Sequence, residues 1–460
     1  MLNIILTLIL LIIVATILLL YYYEHQGITG ANERVELLSV FDAKEFQKFV
    51  SEIIQMDNLA PKILLDDIKY EIKYKENKRI FKPSVHIGQR KLFGNELQFL
   101  TNHLSSKFDE AIVVYAGSSP CNSLYFIREL FPNVKFLLVD PNETLIYVKH
   151  RVSHYSKDTG DIIYARSSHS NKYLAGTDKK ITYYNNGIPL RIDRKDATEG
   201  IVSKNFFKFM KDTKKYKIFV IEDLFTIGLA KLIAKCLGNV YFWSDIRSNS
   251  KNMCPTDLDI IWNSAQQYNW VKIMKPKRFM LKFRMPFFNL SPSELKKITK
   301  KEPYASDIKA CKNDIDFVKN YPKKEFIYIK GDIYIQPYAN ISSTETRLVG
   351  KIKDGLLKYD VNKYDNKFFY YNSIERTIGL HKNANADESL GYDFCGDCSL
   401  ENSILEEYKK KMDNNFDIIQ AIKRLQIITN RPLLNCAHGT LFDKMTREKY
   451  EGLRQKFGYR

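Results

Sequence analysis

Five charged residues lie in segments that one fold could gather: Lys91, Asp245, Lys282, Glu345 and Arg347. Lys91 stands in Gly88-Gln-Arg-Lys-Leu-Phe-Gly-Asn-Glu, Asp245 in Trp243-Ser-Asp-Ile-Arg-Ser and Lys282 in Leu281-Lys-Phe-Arg-Met-Pro-Phe. Glu345 and Arg347 share Ser342-Ser-Thr-Glu-Thr-Arg-Leu. A lysine amine flanked by cations and partly withdrawn from water gives up its proton more readily, so it can accept or steer the proton of a weak nucleophile. Carboxylates beside it would orient it. A second group has another character. Gly117-Ser-Ser-Pro follows one apolar run and Asp140 ends the next. A bend of that kind presents backbone N–H groups at a strand end, and an acid at the neighbouring end can accept both hydroxyls of a ribose. This is a nucleoside-binding arrangement; the absence of G-x-G-x-x-G disfavours a nicotinamide dinucleotide. Asp223 and Leu224, closing a third run, would neighbour the base.

The elements that must position these groups read as alternating strands and helices. Ala111-Ile-Val-Val-Tyr-Ala, Lys135-Phe-Leu-Leu-Val-Asp, Lys217-Ile-Phe-Val-Ile-Glu-Asp, Val240-Tyr-Phe-Trp-Ser-Asp and Arg278-Phe-Met-Leu-Lys-Phe-Arg are short continuous apolar runs, as expected of buried parallel strands. Helical spacing is expected over 89–106, 124–130, 227–237 and 258–270, and further strands over 326–329 and 332–336. The alternation implies a doubly wound, mostly parallel sheet with its ligand sites at the strand carboxyl ends. Asp245 and Lys282 then close adjacent strands and reach one mouth. About 75 residues separate the second and third strands, far more than a crossover needs. Residues 154–216 are therefore expected to be an insertion, with a hairpin at Asn185-Asn-Gly.

Taken in order, these segments resemble the poxvirus family of cap-specific mRNA (nucleoside-2′-O-)-methyltransferases, which also serve as the small regulatory subunit of poly(A) polymerase. The resemblance runs over roughly 85–390, with insertions. It implies a Rossmann-like S-adenosylmethionine-dependent methyltransferase fold and methyl transfer to a ribose 2′-hydroxyl of capped mRNA. The alternative it implies is a catalytically weak RNA-binding subunit that serves a poly(A) polymerase catalytic subunit as a processivity factor. By the resemblance, Lys282 takes the hydroxyl proton, Lys91 and Arg347 flank it, and Asp245 and Glu345 orient the lysines. Gln89, Tyr115, Gly117, Ser118, Cys121, Asp140, Asn142, Asp223, Leu224 and Asp245 would contact S-adenosylmethionine. Phe287 and Asp365 would read the cap guanine, with Arg247 and Arg284 nearby and Tyr70 or Tyr74 as a second ring. Three positions depart from the family. Cys121 replaces the second glycine of a Gly-x-x-x-Gly turn, Asn142 a basic residue near the ribose, and Asn289 a second cap-reading acid.

Composition agrees with a polyanionic partner. Lys and Arg number 71 against 53 Asp and Glu, a net charge of +18. Seven cysteines at irregular spacing do not form a disulfide framework and suit a reducing compartment. No metal is required; Cys395, Cys398, Cys436 and His438 are a zinc candidate of atypical spacing, with ordinary buried thiols as the alternative. Residues 2–23 form an apolar run closed by three tyrosines, expected to be a single-pass membrane anchor with the catalytic domain facing the cytoplasm. Residues 24–82 read as a linker and helical segment, 83–375 as the methyltransferase domain and 376–460 as a helical extension.

Overall fold

The computed structural model of the chain describes residues 59–74, 88–121, 123–141, 204–214, 217–248, 255–287, 290–321, 325–339, 343–376 and 381–428 apart from 388, 389 and 391, together with the strands between 146 and 190. Helix α1 (Gly88–His103) precedes β1 (Ala111–Ala116), and α2 (Leu124–Leu130) leads into β2 (Val134–Val139). Strands β3 (Ile146–Val148), β4 (Arg151–Ser153), β5 (Ile162–Ser167), β6 (Ile181–Asn185) and β7 (Ile188–Leu190) follow. Next come α3 (Lys204–Asp212), β8 (Ile218–Glu222), α4 (Ile227–Cys236), β9 (Tyr241–Ser244), α5 (Asp257–Met274) and β10 (Arg278–Phe283). Helices α6 (Pro292–Ile298) and α7 (Tyr304–Cys311) lead to β11 (Glu325–Ile329), β12 (Gly331–Tyr334), β13 (Thr346–Gly350) and β14 (Leu356–Asp360). Helices α8 (Val361–Tyr370), α9 (Gly396–Met412) and α10 (Ile418–Ile428) complete the described chain.

The main sheet runs β12-β13-β10-β9-β1-β2-β8-β5-β6-β7. Its middle, from β10 to β5, is parallel throughout. Antiparallel pairs extend both sides, β13 and β12 beyond β10, and β6 and β7 beyond β5. The result is a mixed α/β, Rossmann-like fold. Every residue of β2 is buried, which explains why its apolar residues run on without alternation. Helix starts are set locally: Thr256 and Asp259 form a capping box on α5, as Ser291 and Glu294 do on α6.

The insertion expected over 154–216 extends the main sheet. It builds β5, which pairs in parallel with β8, and the β6–β7 hairpin, in which Asn185 faces Ile188. Helix α1 was expected to be amphipathic, yet every residue from Arg90 to Thr101 is buried. The cause is α9, which packs over its outer side. Arg90 meets Glu401 of α9 through two hydrogen bonds of 2.7 and 2.6 Å, and both side chains are out of solvent. No helix among the described residues is long and apolar enough to cross a membrane; the anchor expected over 2–23 lies outside them.

Candidate active site

The carboxyl ends of the parallel strands meet in register. Gly117 N–H donates to the Val139 carbonyl, Asp140 N–H to that of Ile221, and Asp245 N–H to that of Ala116. Asp245 follows β9 directly. Lys282 lies near the end of β10, and its cross-strand partner in β13 is Arg347. Two cations directly opposite each other repel, so this pairing needs acids close by.

Asp245 and Glu345 meet that need. Arg347 donates to Asp245 Oδ1 at 2.5 Å, and Lys282 Nζ lies 3.2 Å from the same oxygen. Lys91 donates to Glu345 Oε1 at 3.2 Å, and Lys282 lies 3.6 Å from that oxygen. Arg247 donates to Glu345 Oε2 at 3.1 Å. Lys91, Arg247, Lys282 and Arg347 thus face Asp245 and Glu345, four cations against two carboxylates, leaving a surplus of two positive charges. Burial pushes the Glu345 carboxyl up, but Lys282, Lys91 and the two arginines outweigh it and hold the group well below its usual range. Burial likewise raises Asp245, and Arg347 and Lys282 bring it below normal. Lys91 is shifted the other way: burial lowers its pKa, Glu345 opposes, and Lys282 and Arg347 add to the lowering. All five residues of the sequence set converge. Arg247, expected near the cap guanine, joins this network and also acts on Arg284.

The turn after β1 lies against the β9 loop. Gly117 has φ +75°, and a Cβ there would stand 2.8 Å from Ile246 N and 2.9 Å from the Asp245 carbonyl carbon. Only glycine permits that approach. Ser119 N–H donates to Asp140 Oδ2 at 3.1 Å, which ties the turn to the acid that ends β2. The Ser118 hydroxyl is buried with no hydrogen-bond partner among the described residues. Cys121 keeps a left-handed backbone, φ 57°, the conformation a glycine would adopt there, while its thiol is buried and held far above its normal pKa by that burial. The departure from Gly-x-x-x-Gly therefore alters the side chain and leaves the turn's shape glycine-like. Tyr115 lies below the mouth: its ring is edge-on to Trp243 and its hydroxyl engages Glu96. Gln89 is half-buried in the first turn of α1. Asp223 Oδ1 accepts from Leu224 N–H at 2.6 Å, and the Leu224 side chain is exposed. Asn142 and Asn289 lie outside the described residues.

A third group sits beyond β10. Phe287 N–H donates to Asp257 Oδ1 at 2.7 Å, and the Tyr321 hydroxyl stands 3.0 Å from the other oxygen of that acid, fixing the loop. Tyr74 stacks on Phe287 with centroids 5.6 Å apart and planes 19° from parallel. The Arg284 guanidinium lies 3.9 Å over Phe287. Tyr70 instead packs against Tyr370. Asp365 is buried, and that burial raises its carboxyl to about 7 against the pull of Arg284.

At the start of α9, Asp393, Cys395 and Cys398 bring their ligand atoms within 4.8 Å of one another. The sulfurs have structural duties already: Cys395 Sγ accepts from Cys398 N–H as the helix cap, and Tyr338 donates to Cys398 Sγ at 3.7 Å. Cys436 and His438 lie outside the described residues.

Glu96 had no place in the sequence reading. It is buried under the network beside Tyr115, and burial raises it to about 7, against the hydrogen bond from Tyr115 and the charge of Arg347. One charged residue on a helix reads as solvent-facing; its place against Tyr115 of β1 puts it in the interior instead.

No curated protein matches the chain. A family model described as "Poly A polymerase regulatory subunit" matches residues 57–152. The matched stretch carries Lys91, Gly117 and Asp140 but ends before Asp245, Lys282, Glu345 and Arg347. Over that stretch the chain is similar to the regulatory subunits of poly(A) polymerase.

Proposed function

We propose that the chain is an RNA-binding subunit that works with the catalytic subunit of a poly(A) polymerase. The match over residues 57–152 carries this reading. The net charge of +18 and the two surplus cations at the mouth suit an RNA backbone. The test is tail extension by a poly(A) polymerase catalytic subunit with and without the chain. The expected result is longer tails at equal enzyme; unchanged tail length and no co-purification would remove the reading.

One observation favours a second activity in the same chain, methyl transfer to a ribose 2′-hydroxyl of capped mRNA. A subunit that only bound RNA would not need four cations and two carboxylates buried together at a strand edge, since buried ion pairs seldom add stability over apolar packing. The residues fit S-adenosylmethionine: the Gly117 cradle admits no Cβ, Ser118 holds a buried hydroxyl with no partner among the described residues, and Asp140 offers the acid suited to ribose. When bound, that cofactor would supply an electrophilic methyl on a sulfonium. Asp245 would stabilise positive charge above the β1 turn. Lys282, aligned by Asp245 and Glu345, would take the hydroxyl proton, and Lys91, Arg247 and Arg347 would hold the acids in place. Positioning of the two reactants would account for most of the acceleration. Tyr74, Phe287 and Asp365 would receive an N7-methylguanine, whose delocalised charge stacks well between rings that part to admit it. The experiment is transfer of labelled methyl to capped and uncapped RNA by the wild type and Lys282→Ala. Label on capped RNA with the wild type alone is expected; equal transfer by the variant would refute the assignment.

A further inference from the structure

The opposite edge of the sheet, where β9 and β10 begin, holds a cleft of about 490 Å³. Tyr241, the first residue of β9, is part of its wall and donates its hydroxyl to the His103 carbonyl at 3.0 Å. Two segments supply five cations to the lining. Lys275, Lys277 and Arg278 come from the α5–β10 turn, and Lys351 and Lys353 from the turn after β13. No carboxylate among the described residues lines the cleft; Asp109 acts on Tyr241 from outside it.

Two opposing effects set the field here. Helices α1 and α5 both end at this edge, and each C-terminus contributes about half a negative charge. Together they amount to roughly one charge against five, so the cleft stays strongly positive. His103 responds accordingly: burial first, then Arg278, holds its imidazole down to about 4, and its Nε2 is buried without a partner among the described residues. Lys275 adds an independent sign. It caps α5 with φ 45°, the left-handed conformation that helix ends usually give to glycine. A charged side chain is kept where glycine would be less strained, and it lines the cleft. Lys277 lies over the Tyr241 ring at 5.8 Å.

We propose that this cleft is a second RNA-binding site, one that grips the phosphate backbone of single-stranded RNA away from the mouth. Arg278 and Lys282 are four residues apart on β10, roughly 13 Å. The two sites thus occupy opposite edges of one sheet, and an RNA chain held at both would wrap across it. A phosphodiester chain can enter a concavity that a folded acidic protein surface would only span. The proposal rests on the RNA-binding part of the function proposed above and is independent of methyl transfer.

The test is binding of uncapped oligouridylate to the full chain, followed by fluorescence anisotropy across a salt series. Lys275, Lys277 and Lys353 are exposed, so their joint replacement (K275Q, K277Q and K353Q) leaves the core intact. The control is the equally exposed trio on and after α6, K296Q, K297Q and K300Q, which removes the same charge elsewhere. The cleft variant should bind RNA on the order of tenfold more weakly, and its salt slope should fall by about 2, since each lost contact to a single strand removes about 0.7. The control should stay close to wild type. Equal weakening in both variants, or none in the cleft variant, overturns the site and leaves RNA binding by the chain standing. Displacement of the RNA by polyglutamate from the wild type, but not from the cleft variant, would assign the cleft to an acidic protein and overturn it too. If the wild type binds no RNA, the subunit reading falls and this proposal falls with it.

Discussion

Replacing Glu345 by glutamine removes one charge from the most connected carboxylate of the site. Its oxygens lie 3.2 Å from Lys91, 3.1 Å from Arg247 and 3.6 Å from Lys282, with all four side chains between 11% and 16% exposed. At an effective dielectric near 20, each contact is worth about 5 kcal/mol of attraction before desolvation. Withdrawing the carboxylate and its partners from water offsets most of the sum. What remains on breaking a buried network is about 3–5 kcal/mol. Four cations would then face Asp245 alone. The dependence on pH follows from the depressed carboxyl of Glu345. Its contribution is fully present above its ordinary value of 4.5 and is lost as pH falls through the lower folded value. Urea unfolding of wild type and Glu345→Gln, followed by tryptophan fluorescence, should therefore show a large gap at neutral pH that narrows in acid. A gap that is absent at neutral pH, or constant into acid, would falsify the network's role.

Gly117→Ala places a Cβ against the β9 loop at a positive φ, and should cost about 1–3 kcal/mol in thermal unfolding. Calorimetry should also show weaker S-adenosylmethionine binding, and an unchanged melting profile would argue against the close approach. Asp365 titrates near 7 because it is buried. Wild-type binding of an N7-methylguanosine cap analogue should therefore strengthen as pH rises through that value, while Asp365→Asn shows no such step; parallel pH profiles by fluorescence quenching would exclude the acid from the cap face. Arg90→Ala strands Glu401 in the interior and should destabilise the chain by about 3–5 kcal/mol, whereas Arg90→Met with Glu401→Leu should recover most of that in denaturant titration. A double variant as unstable as the single one would show that the pair does more than neutralise itself.

Much of the parallel sheet was legible because its strands are buried on both sides and need no alternation. The meeting of Asp245 and Lys282 followed from strand adjacency alone. Arg347 was harder to place, since β13 is a short antiparallel strand near the edge and nothing in Thr346–Gly350 announces its partner. The insertion and its hairpin were legible from length and from Asn185-Asn-Gly, but the parallel pairing of β5 with β8 was not, because β5 lies in a long, polar-rich segment. Arg247 could be read as basic but not as bound to Glu345, because the loop after β9 fixes its direction. Glu96 and the Arg90–Glu401 pair were hidden altogether. Arg90 is covered by α9, some 300 residues further along the chain, and Glu96 faces Tyr115 of β1; no local pattern carries either contact.

The opposition of Lys282 and Arg347 bears on how the sheet's edge is held. Backbone register alone makes these two cations neighbours, and Asp245 is the group both of them touch. Removing that acid would set like charges against each other across the outermost parallel strand, so the ladder to β13 and β12 would loosen from the end that holds the charged network. Neutralising Asp245 should accordingly quicken amide hydrogen exchange in β13 while leaving β2 protected. One aspartate then serves as clasp as well as holding the place proposed for it in methyl transfer, and inactivity of its variants could arise from a detached border strand as readily as from a missing charge.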